Sequence, residues 1–314
     1  MFSRKKFILG SLFIASSLRK LKSEPNQGNP LMEKPNHPLK DTEVLKAKIS
    51  SSGELVPRVG LGTYQTFDVG KDPVRQKELA VLLDYFYSQG GRMIDSSPMY
   101  GSSEEVVGDI SSVTALNEKL FFATKVWISG KEAGEKQMRS SLSKMKRKHL
   151  ELMQIHNLVD WKNHLTTLKD WKEKGIIRYI GITHYTTSAF PDLEKIIRSE
   201  KIDFLQIPYS IAETTGEDKL IPAAFDRGVS VIANEPFARG RLFASVKGKE
   251  LPGFAKEIGI NNWAEYFLKF ILASEQIQFV IPATSKLSHL KDNMSAGTGN
   301  LPSLAERKKM KEYL

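Results

Sequence analysis

Pro73-Val74-Arg75-Gln76-Lys77-Glu78-Leu79-Ala80-Val81-Leu82-Leu83-Asp84-Tyr85-Phe86-Tyr87-Ser88-Gln89-Gly90-Gly91-Arg92-Met93-Ile94-Asp95, residues 73–95, reads as a helix, its stop and a strand in one run. Val74, Leu79, Leu82, Leu83 and Phe86 fall near one helical face. Gln89-Gly90-Gly91 ends the helix, because glycine adopts the left-handed turn that closes one. The strand Arg92–Asp95 follows without a gap.

The same unit recurs along the chain. Short β-branched runs at Leu61–Gln65, Arg92–Asp95, Leu120–Val126, Leu150–His156, Arg178–Thr183, Phe204–Tyr209, Val229–Asn234 and Phe279–Pro282 make eight strand candidates. Helical patterns over 104–110, 135–145, 165–174, 190–198, 219–225, 263–272 and 287–294 alternate with them, and Gly175 and Gly228 end two of these. Eight such units with short connections imply parallel strands and right-handed crossovers. The expected fold is α/β, a single (β/α)8 TIM barrel of parallel strands over 49–314, which leaves no strand edge open. A doubly wound open sheet is the competitor. It would bring a G-x-G-x-x-G turn after its first strand, and Gly60-x-Gly62 is followed by Gln65 where the third glycine belongs.

The 314 residues are 40% hydrophobic and 26% charged, which suits a large packed core. Of the net charge of +10, residues 1–48 contribute +6 through ten Lys/Arg against four Asp/Glu. The remainder has no basic stripe, so nucleic acid is not expected as a partner. No cysteine is present, which removes disulfides and thiolate chemistry, and the six histidines lack zinc-site spacing, so no metal is expected.

The N-terminus reads separately. Ser3-Arg4-Lys5-Lys6-Phe7 leads into an apolar run from Phe7 to Leu18, followed by Arg19, Lys20 and Lys22. That layout is an export signal over 1–24, and its order resembles the twin-arginine signature with Lys5 in place of the second arginine. An export machinery and a periplasmic location follow from that reading. No Ala-x-Ala cleavage site follows, and twelve apolar residues are too few to span a bilayer. The other reading is therefore a short uncleaved anchor with the barrel in the cytoplasm. Residues 25–48, with Pro25, Pro30, Pro35 and Pro38, read as an extended linker.

In a barrel the reactive groups project from the carboxyl ends of the strands. Asp95 ends the second strand and Tyr100 follows it in Ser96-Ser97-Pro98-Met99-Tyr100-Gly101; Lys125 lies in the third strand and His156 ends the fourth. Taken singly, Asp95 caps a helix, Tyr100 anchors a loop and His156 is a satisfied core histidine. A lysine in an apolar strand resists such a reading, because burying an ammonium costs several kcal/mol unless it is paired. Asp95, on the adjacent strand at the same end, is the partner to expect. A cation held there would lower the pKa of a nearby phenol, about 10 when unperturbed, and make Tyr100 a general acid. His156 would then hydrogen-bond the same substrate oxygen.

These four residues, with Val59-Gly60-Leu61-Gly62-Thr63, Ile94-Asp95-Ser96-Ser97-Pro98-Met99-Tyr100-Gly101 and Ile180-Gly181-Ile182-Thr183, resemble the aldo-keto reductase family from about Val56 to Asn293. The resemblance implies Asp95, Tyr100, Lys125 and His156 as the catalytic tetrad of a reductase that turns an aldehyde or ketone into an alcohol. It implies NADPH, with NADH less favoured, lying across the barrel mouth at Gly62 and Thr63, with Thr183, His184 and Gln206 facing the carboxamide. His184 stands where many members have Asn. Asn234 stands where many stack an aromatic ring, so Glu235-Pro236-Phe237 is the expected substitute. Thr284, Ser285, Lys286 and Asn293, together with His289, resemble the segment that holds the adenosine phosphate, with Lys286 as a point charge for the 2′-phosphate.

Tyr64, Met99, Trp127 and Tyr185, just past strand ends, are expected to wall a pocket for a small-molecule carbonyl substrate. The chain ends at Leu314 soon after the last expected helix, so the long loop that shapes steroid pockets in some relatives is expected to be missing, which favours small or varied carbonyls. If the enzyme is exported, it would have to keep its NADPH bound. Two other functions stay open. One is an NADP-binding, redox-sensing regulatory module without sustained turnover. The other is a hydrolase or isomerase using Asp95, Glu104, Glu105 or Glu235, although Glu104 and Glu105 also suit a helix start. Oligomeric state is not legible.

Overall fold

The computed structural model describes residues 43–314. The expected export signal over 1–24, and the linker as far as residue 42, lie outside the described residues. A hairpin comes first: β1 (Lys46–Lys48) pairs antiparallel with β2 (Leu55–Pro57). Residues 46–48 are therefore strand, where a linker was expected.

The barrel strands are β3 (Leu61–Gly62), β4 (Met93–Asp95), β5 (Phe121–Val126), β6 (Leu150–His156), β7 (Ile177–Thr183), β8 (Phe204–Pro208), β9 (Ser230–Asn234) and β10 (Phe279–Val280), all parallel and in sequential order. Each lies within or beside its expected run. The first and last strands close on each other through Gly60 N–H to Val280 O at 2.8 Å and Gly62 N–H to Pro282 O at 3.0 Å. Gly60-x-Gly62 has its reason here. A Cβ at Gly60 would meet Met93 O at 2.9 Å and one at Gly62 would meet Ile281 O at 2.9 Å. The two glycines permit close strand approach.

The helices are α1 (Pro73–Ser88), α2 (Ser103–Val113), α3 (Lys131–Lys144), α4 (Trp161–Glu173), α5 (Phe190–Ser199), α6 (Leu220–Asp226), α7 (Arg241–Ser245), α8 (Gly253–Glu257), α9 (Trp263–Leu272), α10 (Leu287–Ser295) and α11 (Leu304–Tyr313). In α1 the Asp72 side chain accepts from Val74 N–H and Arg75 N–H, with Pro73 at the first position, where its missing N–H costs nothing. Leu79, Leu82, Leu83 and Phe86 are buried as expected, whereas Val74 is 65% exposed. Helix α11 extends beyond the last expected helix and docks through Arg307, which donates to Phe270 O and Glu217. None of the described helices is long and apolar enough to cross a membrane.

Two apolar layers result. Ile94, Phe122, Met153, Ile182, Leu205 and Val231 face the helices. Met93, Phe121, Ala123, Leu152, Tyr179, Phe204, Ile232 and Ile281 face the barrel axis, and Ala47, Ile49 and Val56 of the hairpin join them and cover the floor. Side chains along a strand alternate, so the next inward positions after this layer are Asp95, Lys125, Gln154, Thr183, Gln206 and Asn234. The polar layer at the barrel mouth is thus a continuation of the core pattern.

Helix α2 crosses the end of α3 so closely that a Cβ at Gly108 would stand 2.1 Å from Lys144 O and 2.8 Å from Met145 Cα. Gly108→Ala should therefore destabilise the fold by about 1–3 kcal/mol, because the overpacking outweighs the helix-propensity gain of about 1 kcal/mol. Urea unfolding measures it, and a variant at least as stable as the parent would refute the close crossing.

Candidate active site

Strand β4 delivers Asp95 and β5 delivers Lys125 to the same depth, 2% and 1% exposed. Lys125 Nζ donates to Asp95 Oδ2 at 2.6 Å and to Ser96 O at 2.6 Å. The second carboxylate oxygen, Oδ1, accepts from Gln154 Nε2 at 2.9 Å and Gln206 Nε2 at 3.0 Å. Asp95 is thus held from three strands. Burial lowers the Lys125 pKa, but Asp95 and Tyr100 outweigh it and hold the ammonium above its ordinary value.

Tyr100 stands over this pair, with Lys125 Nζ 4.9 Å from its ring centroid. Its loop is pinned by Asp68 Oδ1, which accepts from Ser102 N–H at 2.8 Å and Ser102 Oγ at 2.7 Å. Burial raises the phenol pKa, and the Lys125 charge pulls it back only in part. The expectation of a net lowered pKa is corrected here: desolvation of a phenolate is the larger effect. The phenol keeps its proton at neutral pH.

His156, at the end of β6, places its ring 6.3 Å from that of Tyr100 and its Nδ1 3.3 Å from Ser97 Oγ. Burial, then the charge of Lys125, then His184 push its pKa down to about 3, so the imidazole is neutral.

A cavity of about 1230 Å³ opens above these groups. Asp95, Tyr100 and His156 line it, while Lys125 lies beneath. Tyr64, Met99, Trp127 and Tyr185 stand on its wall. So do Gly62, Thr63, Thr183, Gln206, Asn234, Pro236 and Phe237, with Thr284 after the last strand and Asn293 on α10. His184, Ser285 and Lys286 are not among the lining residues. The His184 ring turns its Nδ1 to Thr186 N–H at 3.1 Å and stacks on Tyr185, and Lys286 is exposed just before α10.

Several participants escaped sequence reasoning. Gln154 reads as an ordinary strand residue, and only the alternation of inward positions marks it. Asn157, Arg239, Phe243 and Trp263 line the cavity, the last three from the segments after β9. Arg239 is held by Glu235 at 2.7 Å.

The cavity offers acceptors for a ligand that carries hydrogen-bond donors. Asn157 Oδ1 and Asn234 Oδ1 are buried acceptors without a hydrogen-bond partner among the described residues. Both residues line the cavity. Buried acceptors of this kind are rare unless a ligand or water satisfies them, and a carboxamide N–H or a ribose hydroxyl supplies the missing donor.

The profile of the aldo/keto reductase family matches residues 58–305. The chain is 24% identical over 288 residues to the uncharacterized oxidoreductase YqkF of Bacillus subtilis, covering 80% of this chain and 90% of that protein. It is 23% identical over 253 residues to the methylglyoxal reductase YeaE of Escherichia coli, covering 78% and 87%. Among solved structures, an aldo/keto reductase from Klebsiella pneumoniae in complex with NADP and acetate has a TM-score of 0.74 at 22% identity, covering 86% of this chain and 95% of that one. The aldo-keto reductase AKR11C1 from Bacillus halodurans, in its holo form, has a TM-score of 0.72 at 20% identity, covering 86% and 96%.

Proposed function

Since the chain belongs to the aldo/keto reductase family and is an NAD(P)H-dependent oxidoreductase, we propose that it reduces an aldehyde or ketone to the alcohol with NADPH, Tyr100 giving the proton. One observation carries the reading: the buried Lys125–Asp95 pair beneath Tyr100, below a cavity of about 1230 Å³.

When bound, NADPH supplies a hydride to the carbonyl carbon. The chain's residues supply the rest. Tyr100 passes its phenolic proton to the carbonyl oxygen, and the phenolate left behind meets the Lys125 ammonium already in place. Asp95, itself held by Gln154 and Gln206, keeps that ammonium from shifting toward the substrate. His156, being neutral, orients the carbonyl oxygen by a hydrogen bond without competing as an acid. Tyr64, Trp127 and Tyr185 make the rim apolar, which favours a desolvated carbonyl. Asn157, Gln206 and Asn234 would hold the carboxamide end of the cofactor, and Thr284 and Asn293 the adenosine end. Preference for NADPH over NADH rests on His289, which lines the cavity, and on Lys286, exposed outside its wall three residues earlier.

Steady-state oxidation of NADPH, followed by absorbance, tests the proposal. Methylglyoxal is the first substrate to try, because relatives carry that activity in their names, and aromatic aldehydes are next. Many turnovers per enzyme are expected. One equivalent oxidised and then none would identify a redox-sensing module instead. The reduction rate should stay level from about pH 5 to about 9 and fall above that, since the acid must be protonated and the Tyr100 value lies above the ordinary tyrosine value of about 10. His156, titrating at about 3, contributes no limb in that range. A fall centred near pH 7 would assign proton transfer to another group.

A further inference from the structure

Ser97 leaves β4 on the loop that carries Tyr100, and its hydroxyl is sealed from solvent. Two groups reach its Oγ. Met99 N–H donates to it at 3.3 Å, and His156 Nδ1 stands 3.3 Å away on the other side. The first contact decides the direction of the second. With Oγ already accepting from Met99, the Ser97 hydroxyl proton has one acceptor within reach among the described residues, His156 Nδ1. Were Nδ1 to carry the imidazole proton, the ring would donate to Oγ and leave a buried hydroxyl proton with no acceptor, an arrangement that folded proteins avoid.

A neutral imidazole has one N–H and one lone pair, so a ring that accepts at Nδ1 donates at Nε2. His156 lines the cavity, and its Nε2 has no hydrogen-bond partner among the described residues. The donor therefore remains available for a ligand beside Tyr100. We propose that Ser97 is a positioning residue that locks His156 as the Nε2–H tautomer, so that a carbonyl oxygen in the cavity meets a donor rather than a lone pair. This inference rests on the reductase reading, in which that oxygen is the one Tyr100 protonates.

The same loop thus serves two groups at once. Tyr100 gives the proton, and Ser97, three residues earlier, sets the hydrogen bond that holds its acceptor. Ser97→Ala leaves Nδ1 without its donor, both ring nitrogens then compete for the proton, and the productive tautomer is only partly populated.

The experiment is a long-range proton–nitrogen correlation spectrum of the full-length 15N-labelled protein, free of cofactor and substrate, with the His156 signals assigned by their loss in His156→Gln. In wild type, Nδ1 should resonate as an unprotonated acceptor and Nε2 as a protonated nitrogen. In Ser97→Ala the two shifts should move toward each other, and kcat should fall about tenfold with the KM for NADPH unchanged. That loss is smaller than the roughly 10²–10³-fold expected for removing an oxyanion donor outright. A protonated Nδ1 in wild type would overturn the inference without any variant. So would an unmoved pair of shifts in folded Ser97→Ala. If wild type shows the expected tautomer but turns over no carbonyl, the proposed function fails while the assignment to Ser97 stands.

Discussion

Tyr100→Phe is expected to lower kcat for carbonyl reduction by about 10²–10⁴-fold, the size of a general-acid contribution, while the affinity for NADPH stays within a small factor of wild type. The substitution removes one oxygen and keeps the ring, so the packing of residue 100 against Tyr64, whose centroid lies 4.9 Å away, survives. The cavity keeps its shape, and Lys125 keeps Asp95 and Ser96 O as acceptors while losing the Tyr100 hydroxyl. What is lost is the phenol that stands over the buried ammonium. Steady-state kinetics read the first effect, and quenching of tryptophan fluorescence on cofactor binding reads the second, since Trp127 and Trp263 line the cavity. Equal activity in both proteins would remove Tyr100 from the mechanism, and a parallel loss of cofactor binding would make its role structural.

Lys125→Met is expected to act on both chemistry and stability. The lysine is 1% exposed and its ammonium reaches Asp95 at 2.6 Å. Removing one member of such a pair leaves an uncompensated buried charge, which costs about 3–5 kcal/mol. Gln154 and Gln206 still donate to Asp95 Oδ1, so a value near the lower end is expected. In the chemical step, a phenolate formed at Tyr100 would face no cation. The Tyr100 titration should therefore move further upward and the reduction rate should fall. Urea unfolding measures the stability. The difference in phenolate absorbance between Lys125→Met and the same variant carrying Tyr100→Phe isolates the titration. Adding Asp95→Asn to Lys125→Met should recover much of the stability and none of the rate. A double variant as unstable as the single one would show that Asp95 does not carry the cost.

What could be read from the chain follows from where each signal arises. The eight barrel strands were legible because each is a short apolar run ended by small or polar residues, and because the count of units closes a barrel. Val74 was misplaced since helical spacing alone does not say where the packed face begins; Pro73 and the Asp72 cap put it at the exposed first turn. The hairpin was missed because Lys46-Ala47-Lys48 buries only Ala47, a pattern too short to separate from a linker. Helix α11 was missed for a related reason. It buries only Met310, and it docks through the polar contacts of Arg307 with Phe270, Tyr209 and Glu217 rather than by an apolar stripe.

At the site, Lys125 announced itself because a lysine in an apolar strand must have a partner. Gln154 did not, because a glutamine there has no comparable energetic demand. Lys286 shows the opposite limit: its place in the sequence pointed toward the adenosine phosphate, while its side chain is exposed beside the cavity rather than in its wall.

By itself the amino-acid sequence determined the alternation of strands and helices, the barrel and the pairing of Lys125 with Asp95. Each of these follows from local periodicity, or from a burial cost that a single residue imposes. The tertiary structure alone decided that Gln154 and Gln206 share Asp95, that burial outweighs Lys125 in setting the Tyr100 proton affinity, and that Ser97 reaches His156. Those outcomes depend on distances across strands, and on how much water each group loses, and neither quantity exists until the barrel has closed.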